Sequence, residues 1–202
     1  MSLLRFYYKG CTWGIVRNQK CASTSVLSYI AQALWNANPY EIQTYNTFEK
    51  KVSGVYFKSN NFLDYKKDLI NSHIRVAIYR DPVDKFLSGF YHTMFSPTGA
   101  QDALWIGPKT LDEFLFNFKY YYENSANVKD HCSSNSARLG DNPEIYTHIY
   151  YYDNTDKLAN LLDANTKVYL RKTSRKPNIT SNQTLKIKEL MAEDYKNGWY
   201  KK

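Results

Sequence analysis

The sequence predicts an α/β fold: one domain over residues 1–202, built on a parallel sheet flanked by helices. Three observations lead there. Strand-like runs alternate with stretches of helical apolar periodicity, the pattern of a parallel sheet covered on both faces. Two of those runs, TWGIVR and HIRVAIY, pass directly into segments that start helices. The length suits one domain with a full core and is short for two.

The first strand is expected over 12–17. From Thr24 a helix follows, because Val26, Leu27, Ile30 and Leu34 recur at helical spacing. Residues 36–60 are polar and suggest only a short strand over 43–48. A helix over 61–70 leads to the second strand, 73–79. Asp81 and Pro82 then start a helix, Asp as N-cap and Pro at the first helical position. Val83, Phe86, Leu87, Phe90, Tyr91 and Met94 give that helix one buried stripe. A helix over 111–122 precedes a polar loop that carries His131. A strand over 145–152, a helix over 155–162 and a short strand over 167–170 complete the alternation. Past the basic segment RKTSRKPN, Thr180 and Gln183 form a capping-box pattern. The helix they open carries Leu185, Leu190 and Met191 and runs on towards Tyr195.

Composition narrows the function classes. Hydrophobic residues make up 43% and charged residues 23%, an ordinary globular mixture. No apolar run reaches the length of a membrane span, and MSLLRFYYKGCTWG lacks the apolar centre and cleavage site of a signal peptide. A cytoplasmic compartment is therefore expected. Cys11, Cys21 and Cys132 are too few and too scattered for a disulfide framework or a zinc site, so no metal is expected. The net charge of +8 fits an anionic partner (nucleic acid, a sulfated or phosphorylated sugar, a charged nucleotide) and equally fits plain solubility charge. Nineteen tyrosines, with runs such as YYYEN and IYYYD, would suit an aromatic surface for sugars or bases. Core packing plus codon bias explains them better, since Asn and Lys are abundant too.

The segment NQKCASTSVLSYI, residues 18–30, has the layout of a phosphate-binding loop without its glycines. A helix N-terminus after a strand offers backbone N–H groups and a positive dipole end to an anion. Cys21, Ala22 and Ser23 are small enough for close approach; Lys20 adds a mobile charge, and Ser23, Thr24 and Ser25 add hydroxyls. The triphosphate loop G-x-x-x-x-G-K-[ST] is not met, because Lys20 precedes the small residues. Taken alone, the pattern is better explained by an ordinary Ser/Thr-rich helix cap. The second strand adds IYRDPVDKFLSGFYH, which puts Arg80 at a strand's carboxyl end and Ser88 off the centre of the apolar stripe. Such a pair can grip a second phosphate; the alternative for Arg80 is a salt bridge to Asp81 or another carboxylate.

Together, QKCASTS and RDPVDKFLS resemble the two nucleotide motifs of the carbohydrate sulfotransferases, in the same order. In that family the loop P-K-x-A-[SG]-T-S binds the 5′-phosphosulfate of PAPS (3′-phosphoadenosine 5′-phosphosulfate). The motif R-D-P-x-x-R-x-x-S binds its 3′-phosphate. The segments FLFNFKYYYENSANVKDHCSSNSARL, YYDNTDKLANLL and KELMAEDYKNGWY are similar to later parts of the family. Gln19 stands in place of the usual Pro and Lys85 in place of the usual Arg, and the Pro-Gln that commonly follows the middle histidine is missing.

The resemblance implies a P-loop-like sulfotransferase fold and a sulfuryl transfer from PAPS to a saccharide hydroxyl, with PAP (the desulfated nucleotide) as product and no metal. Lys20 would neutralise the leaving oxygen, while Cys21, Ala22, Ser23, Thr24 and Ser25 line the phosphosulfate. Arg80 and Ser88 would hold the 3′-phosphate. His131, at the family's histidine position, is the expected general base, with Glu123 in reserve. His92 falls opposite its helix's stripe and is expected in solvent; His73 and His148 are read as structural. Among Arg171, Lys172, Arg175 and Lys176, the pair Arg175 and Lys176 would close over the nucleotide or form a solvated basic surface. Two other classes stay in view. A small-molecule kinase would need ATP and Mg²⁺, and a nucleic-acid-binding domain would need a contiguous basic face, whereas the Lys and Arg residues here are dispersed. The oligomeric state is left open.

Overall fold

A computed structural model describes residues 3–38, 56–58, 62–95, 108, 110–165 and 178–200. The strands expected over 43–48 and 167–170 lie outside them. In chain order the elements are β1 (Leu3–Tyr8), β2 (Cys11–Val16), α1 (Ser23–Trp35), β3 (Tyr56–Lys58), α2 (Phe62–Ile70), β4 (Ile74–Tyr79) and α3 (Pro82–Phe95). There follow α4 (Leu111–Phe116), α5 (Phe118–Asn124), α6 (Ala126–Cys132), α7 (Asn135–Leu139), a 3₁₀ turn (Pro143–Ile145), β5 (His148–Tyr151), α8 (Asp156–Leu161), α9 (Ser181–Leu190) and α10 (Ala192–Lys196). They fall into two compact units. The first comprises Met1–Tyr79 and Ala137–Lys172, the second Arg80–Ser136 and Thr173–Lys202.

The first unit holds the sheet, in the order β3-β1-β2-β4-β5. Strands β2, β4 and β5 are parallel, as expected, but β1 runs antiparallel to both β2 and β3. The sheet is thus mixed, and the all-parallel expectation is corrected by β1, a strand the sequence reading did not include. Its turn to β2 is two residues long, Lys9 and Gly10, both at positive φ (51° and 75°). That backbone hand matches the twist of a hairpin.

Alternation sorts the sheet's two faces. Leu4, Phe6, Trp13, Ile15, Val76 and Ile78 point to one side, where they pack with Val26, Leu27 and Ile30 of α1 and Leu158 of α8. On the other side lies α2, where a Cβ at Gly14 would come within 3.2 Å of Leu69. There Arg5 of β1 also pairs with Asp68 at 3.7 Å. Helices therefore flank the sheet, and the expected α/β class is found in that form.

The second unit is helical among its described residues. Asp81 caps α3 as expected: its Oδ1 accepts from the N–H groups of Val83 (3.0 Å) and Asp84 (3.1 Å). Phe86 and Phe90 of the stripe meet Phe114 at ring distances of 5.7 and 5.0 Å. The single helix expected over 111–122 is two, α4 and α5, separated at Asn117. The loop expected around His131 is helix α6. Ser125 starts it by accepting from Val128 N–H at 3.2 Å, and Val128 and Cys132, four residues apart, are buried. The capping box of α9 is formed in both directions, Gln183 N–H to Thr180 Oγ1 (3.2 Å) and Thr180 N–H to Gln183 Oε1 (2.9 Å). However, Leu185 is exposed, and Ile187 takes the buried place expected of it. No helix among the described residues is long and apolar enough to cross a membrane.

Candidate functional site

In the first unit β2 and β4 pair in parallel, Val16 beside Ala77, so both end at one edge of the sheet. The loop from Arg17 to Ala22 leaves β2 at that edge. Its base is pinned by Asn18, which is buried and donates from Nδ2 to the Ile78 carbonyl at 3.4 Å. A turn closes next, Cys21 N–H to Asn18 O at 3.2 Å. Cys21 and Ser25 point into the protein, Cys21 among the apolar residues of the core. Lys20, Ala22, Ser23 and Thr24 stay half-exposed.

The missing glycines are explained by the backbone. Lys20 (φ 62°) and Ala22 (φ 55°, ψ 28°) both adopt the left-handed conformation that glycines usually supply. For a residue with a Cβ this costs about 1–2 kcal/mol, and such strain collects at ligand clamps. Ala22 is also the N-cap of α1 and has no side-chain oxygen to satisfy the first-turn N–H groups. That turn carries no acidic side chain either, so its positive end faces no carboxylate of its own helix. Strained backbone, a lysine and a helix start without a side-chain cap make a cradle suited to an anion.

In the second unit Arg80 is the residue that follows β4, and it is half-buried. Asn135 Nδ2 donates to its carbonyl at 3.0 Å. Asp81, the salt-bridge alternative, spends Oδ1 on capping α3. Ser88 is half-buried on α3. Lys85, at the position where the resembled motif has Arg, is buried; its Nζ donates to the Ser133 carbonyl, so it ties α3 to the segment before α7.

His131 is half-buried in the last turn of α6, and its ring lies 4.3 Å from that of His92 at 63°. His92 is thus half-buried against His131, where the sequence reading had it in solvent. Gly89 makes the approach feasible, since a Cβ there would lie 2.4 Å from the His131 carbonyl oxygen. Glu123 is exposed on α5. His73 Nδ1 takes the Thr12 N–H at 3.2 Å, in keeping with a structural role. Arg175 and Lys176, with Arg171 and Lys172, lie outside the described residues.

Sequence reasoning missed a buried polar cluster behind Arg80. Asp194 of α10 accepts from Asn135 N–H (2.7 Å), Asn135 Nδ2 (3.0 Å) and Ser136 N–H (2.7 Å). Burial pushes its carboxyl up from the usual range, opposed by the Ser136 and Asn135 hydrogen bonds and by Lys85. An Asp between apolar Met191 and Tyr195 was the one available signal, because a carboxylate on a helix's buried side needs partners. No protein family, characterised protein or solved structure matches the chain, so the sulfotransferase likeness rests on its motifs.

Proposed function

We propose that the chain is a sulfotransferase that moves the sulfuryl group of PAPS to a hydroxyl, with a saccharide as the acceptor class. The observation that carries this reading is the cradle at the start of α1, where Lys20 and Ala22 hold left-handed backbone in front of a helix with no side-chain cap. An in-line displacement suits it. The acceptor oxygen forms a bond to sulfur while the bond from sulfur to the bridging phosphate oxygen breaks, and PAP departs. The group in flight carries less charge than a metaphosphate, so positioning and fixed charge do most of the work. Lys20 and the N–H groups of the loop neutralise the leaving oxygen. Arg80 and Ser88 hold the 3′-phosphate, which turns remote binding energy into alignment. His131 takes the acceptor's proton, and its contact with His92 fixes the ring that does so.

The test is turnover. Incubation with PAPS and a panel of neutral and anionic saccharides should release PAP only when a hydroxyl acceptor is present, and should yield a sulfated sugar. Lys20→Ala should keep the fold and lose about 10²–10³ in rate, the usual loss when one electrostatic stabiliser is removed. A folded Lys20→Ala protein with unchanged turnover sinks the assignment, and phosphorylation from ATP and Mg²⁺ would replace it with a kinase.

A further inference from the structure

We infer that Asp194 and Asn135 form a positioning device for Arg80, a reading that rests on Arg80 as the phosphate-binding residue. Asn135 is fully buried, and its side-chain amide bridges three acceptors: the Arg80 carbonyl (3.0 Å), Asp194 Oδ2 (3.0 Å) and, at 3.3 Å, the Trp199 carbonyl. The amide offers two hydrogens to three oxygens, so its plane is fixed by the set. Asp194 is itself fully buried and cannot turn away, because its two oxygens also hold the N–H groups of Asn135 and Ser136. Its backbone is closed in turn by Trp199 N–H on the Asp194 carbonyl at 2.8 Å. From the other side, Lys85 grips the Ser133 carbonyl. The segment 133–136 is thereby clamped between α3 and α10, and from it the Asn135 amide reaches Arg80.

That arrangement has a purpose beyond stability. A carbonyl at the strand-to-helix junction is ordinarily left to water or to the next helical turn. Here the carbonyl of the phosphate-reading arginine is held by a buried side chain that is anchored by a buried carboxylate. Fixing the backbone of Arg80 fixes where its guanidinium starts from, and a preorganised donor loses less freedom when the anion binds. The C-terminal helix α10 thus supports nucleotide selection while supplying no ligand contact of its own.

The test uses the whole chain labelled with ¹⁵N. In wild type the Asn135 side-chain amide should resist hydrogen exchange. Asn135→Ala keeps the backbone N–H for Asp194 and removes only the bridge. It should move the Asp81 amide signal, which reports on the Arg80 carbonyl, and lower the preference for PAP over adenosine 5′-monophosphate by roughly tenfold, as losing an orienting partner does in metal sites. Affinity for the monophosphate should hold, whereas a purely structural loss would lower both. A fast-exchanging Asn135 amide in wild type overturns the inference, as does a folded variant with an unmoved Asp81 signal and its full preference. If wild type shows no preference for PAP, the phosphate role of Arg80 fails instead, and the Asp81 signal and the exchange rate alone decide the positioning claim.

Discussion

Ala22 is a small residue in a costly conformation, and that cost is measurable. Glycine reaches φ 55° without a Cβ clash, while it loses more freedom on folding than alanine does. Setting about 1–2 kcal/mol of relief against about 0.4–1 of added entropy, Ala22→Gly should stabilise the protein by about 0.5–1 kcal/mol. Urea unfolding reads this directly, and a destabilised variant would show that the loop is not left-handed there. The residue identities of the loop were legible in the sequence: Lys20, the small residues and the hydroxyls stand in a row. Its backbone was not, because the usual marker of positive φ is glycine and none is present. The inward turn of Cys21 and Ser25 was hidden as well, since a run of small residues carries no periodicity to say which of them face the core.

Helix α3 was the most legible element, because an Asp–Pro start and a six-residue stripe specify its beginning and its buried face together. Strand β1 escaped because LLRFYY mixes apolar and basic residues, and its turn uses Lys-Gly instead of the stronger Asn-Gly signal. The division at Asn117 lies inside the apolar run FLFNF, where hydrophobic spacing does not mark a break, and α6 starts at the Ser125 cap within polar ENSAN. Gly89 carries no local signal, and its meaning emerges only from the neighbouring helix. A methyl group there would meet the His131 carbonyl oxygen at 2.4 Å. Gly89→Ala should therefore cost about 1–3 kcal/mol, the usual penalty for overpacking. It should also part the His92 and His131 rings, which now touch at 4.3 Å. Cross-peaks between the two imidazoles in wild type, lost in the variant, are the expected result; a variant of unchanged stability that keeps them would show that α3 and α6 do not pack so closely.

Across the whole chain, what the sequence could not reveal is what long-range pairing decides. Asn135 meets residues 55 and 59 positions away, and no local pattern links them. In the first unit Tyr65 donates to the Arg138 carbonyl and Tyr146 to the Leu139 carbonyl at 2.7 Å. Burial pushes both phenols well above their ordinary range. A raised folded pKa means that the folded state keeps protons the unfolded chain sheds. Stability from these groups is thus full below pH ~10 and falls above it, by about 1.4 kcal/mol per pH unit for each phenol. Alkaline unfolding should be steep, and Tyr65→Phe should shallow it by one proton; an unchanged slope would put the Tyr65 hydroxyl in water. Nucleotide selection is the property on which the sulfotransferase proposal stands or falls, and calorimetry without Mg²⁺ measures it. Wild type should bind PAP at least tenfold more tightly than adenosine 5′-monophosphate or ATP, and Arg80→Ala should remove most of that margin, since a charge-assisted hydrogen bond contributes roughly 1.5–3 kcal/mol. Equal affinity for PAP and the monophosphate, or tighter binding of ATP once Mg²⁺ is added, would contradict the account.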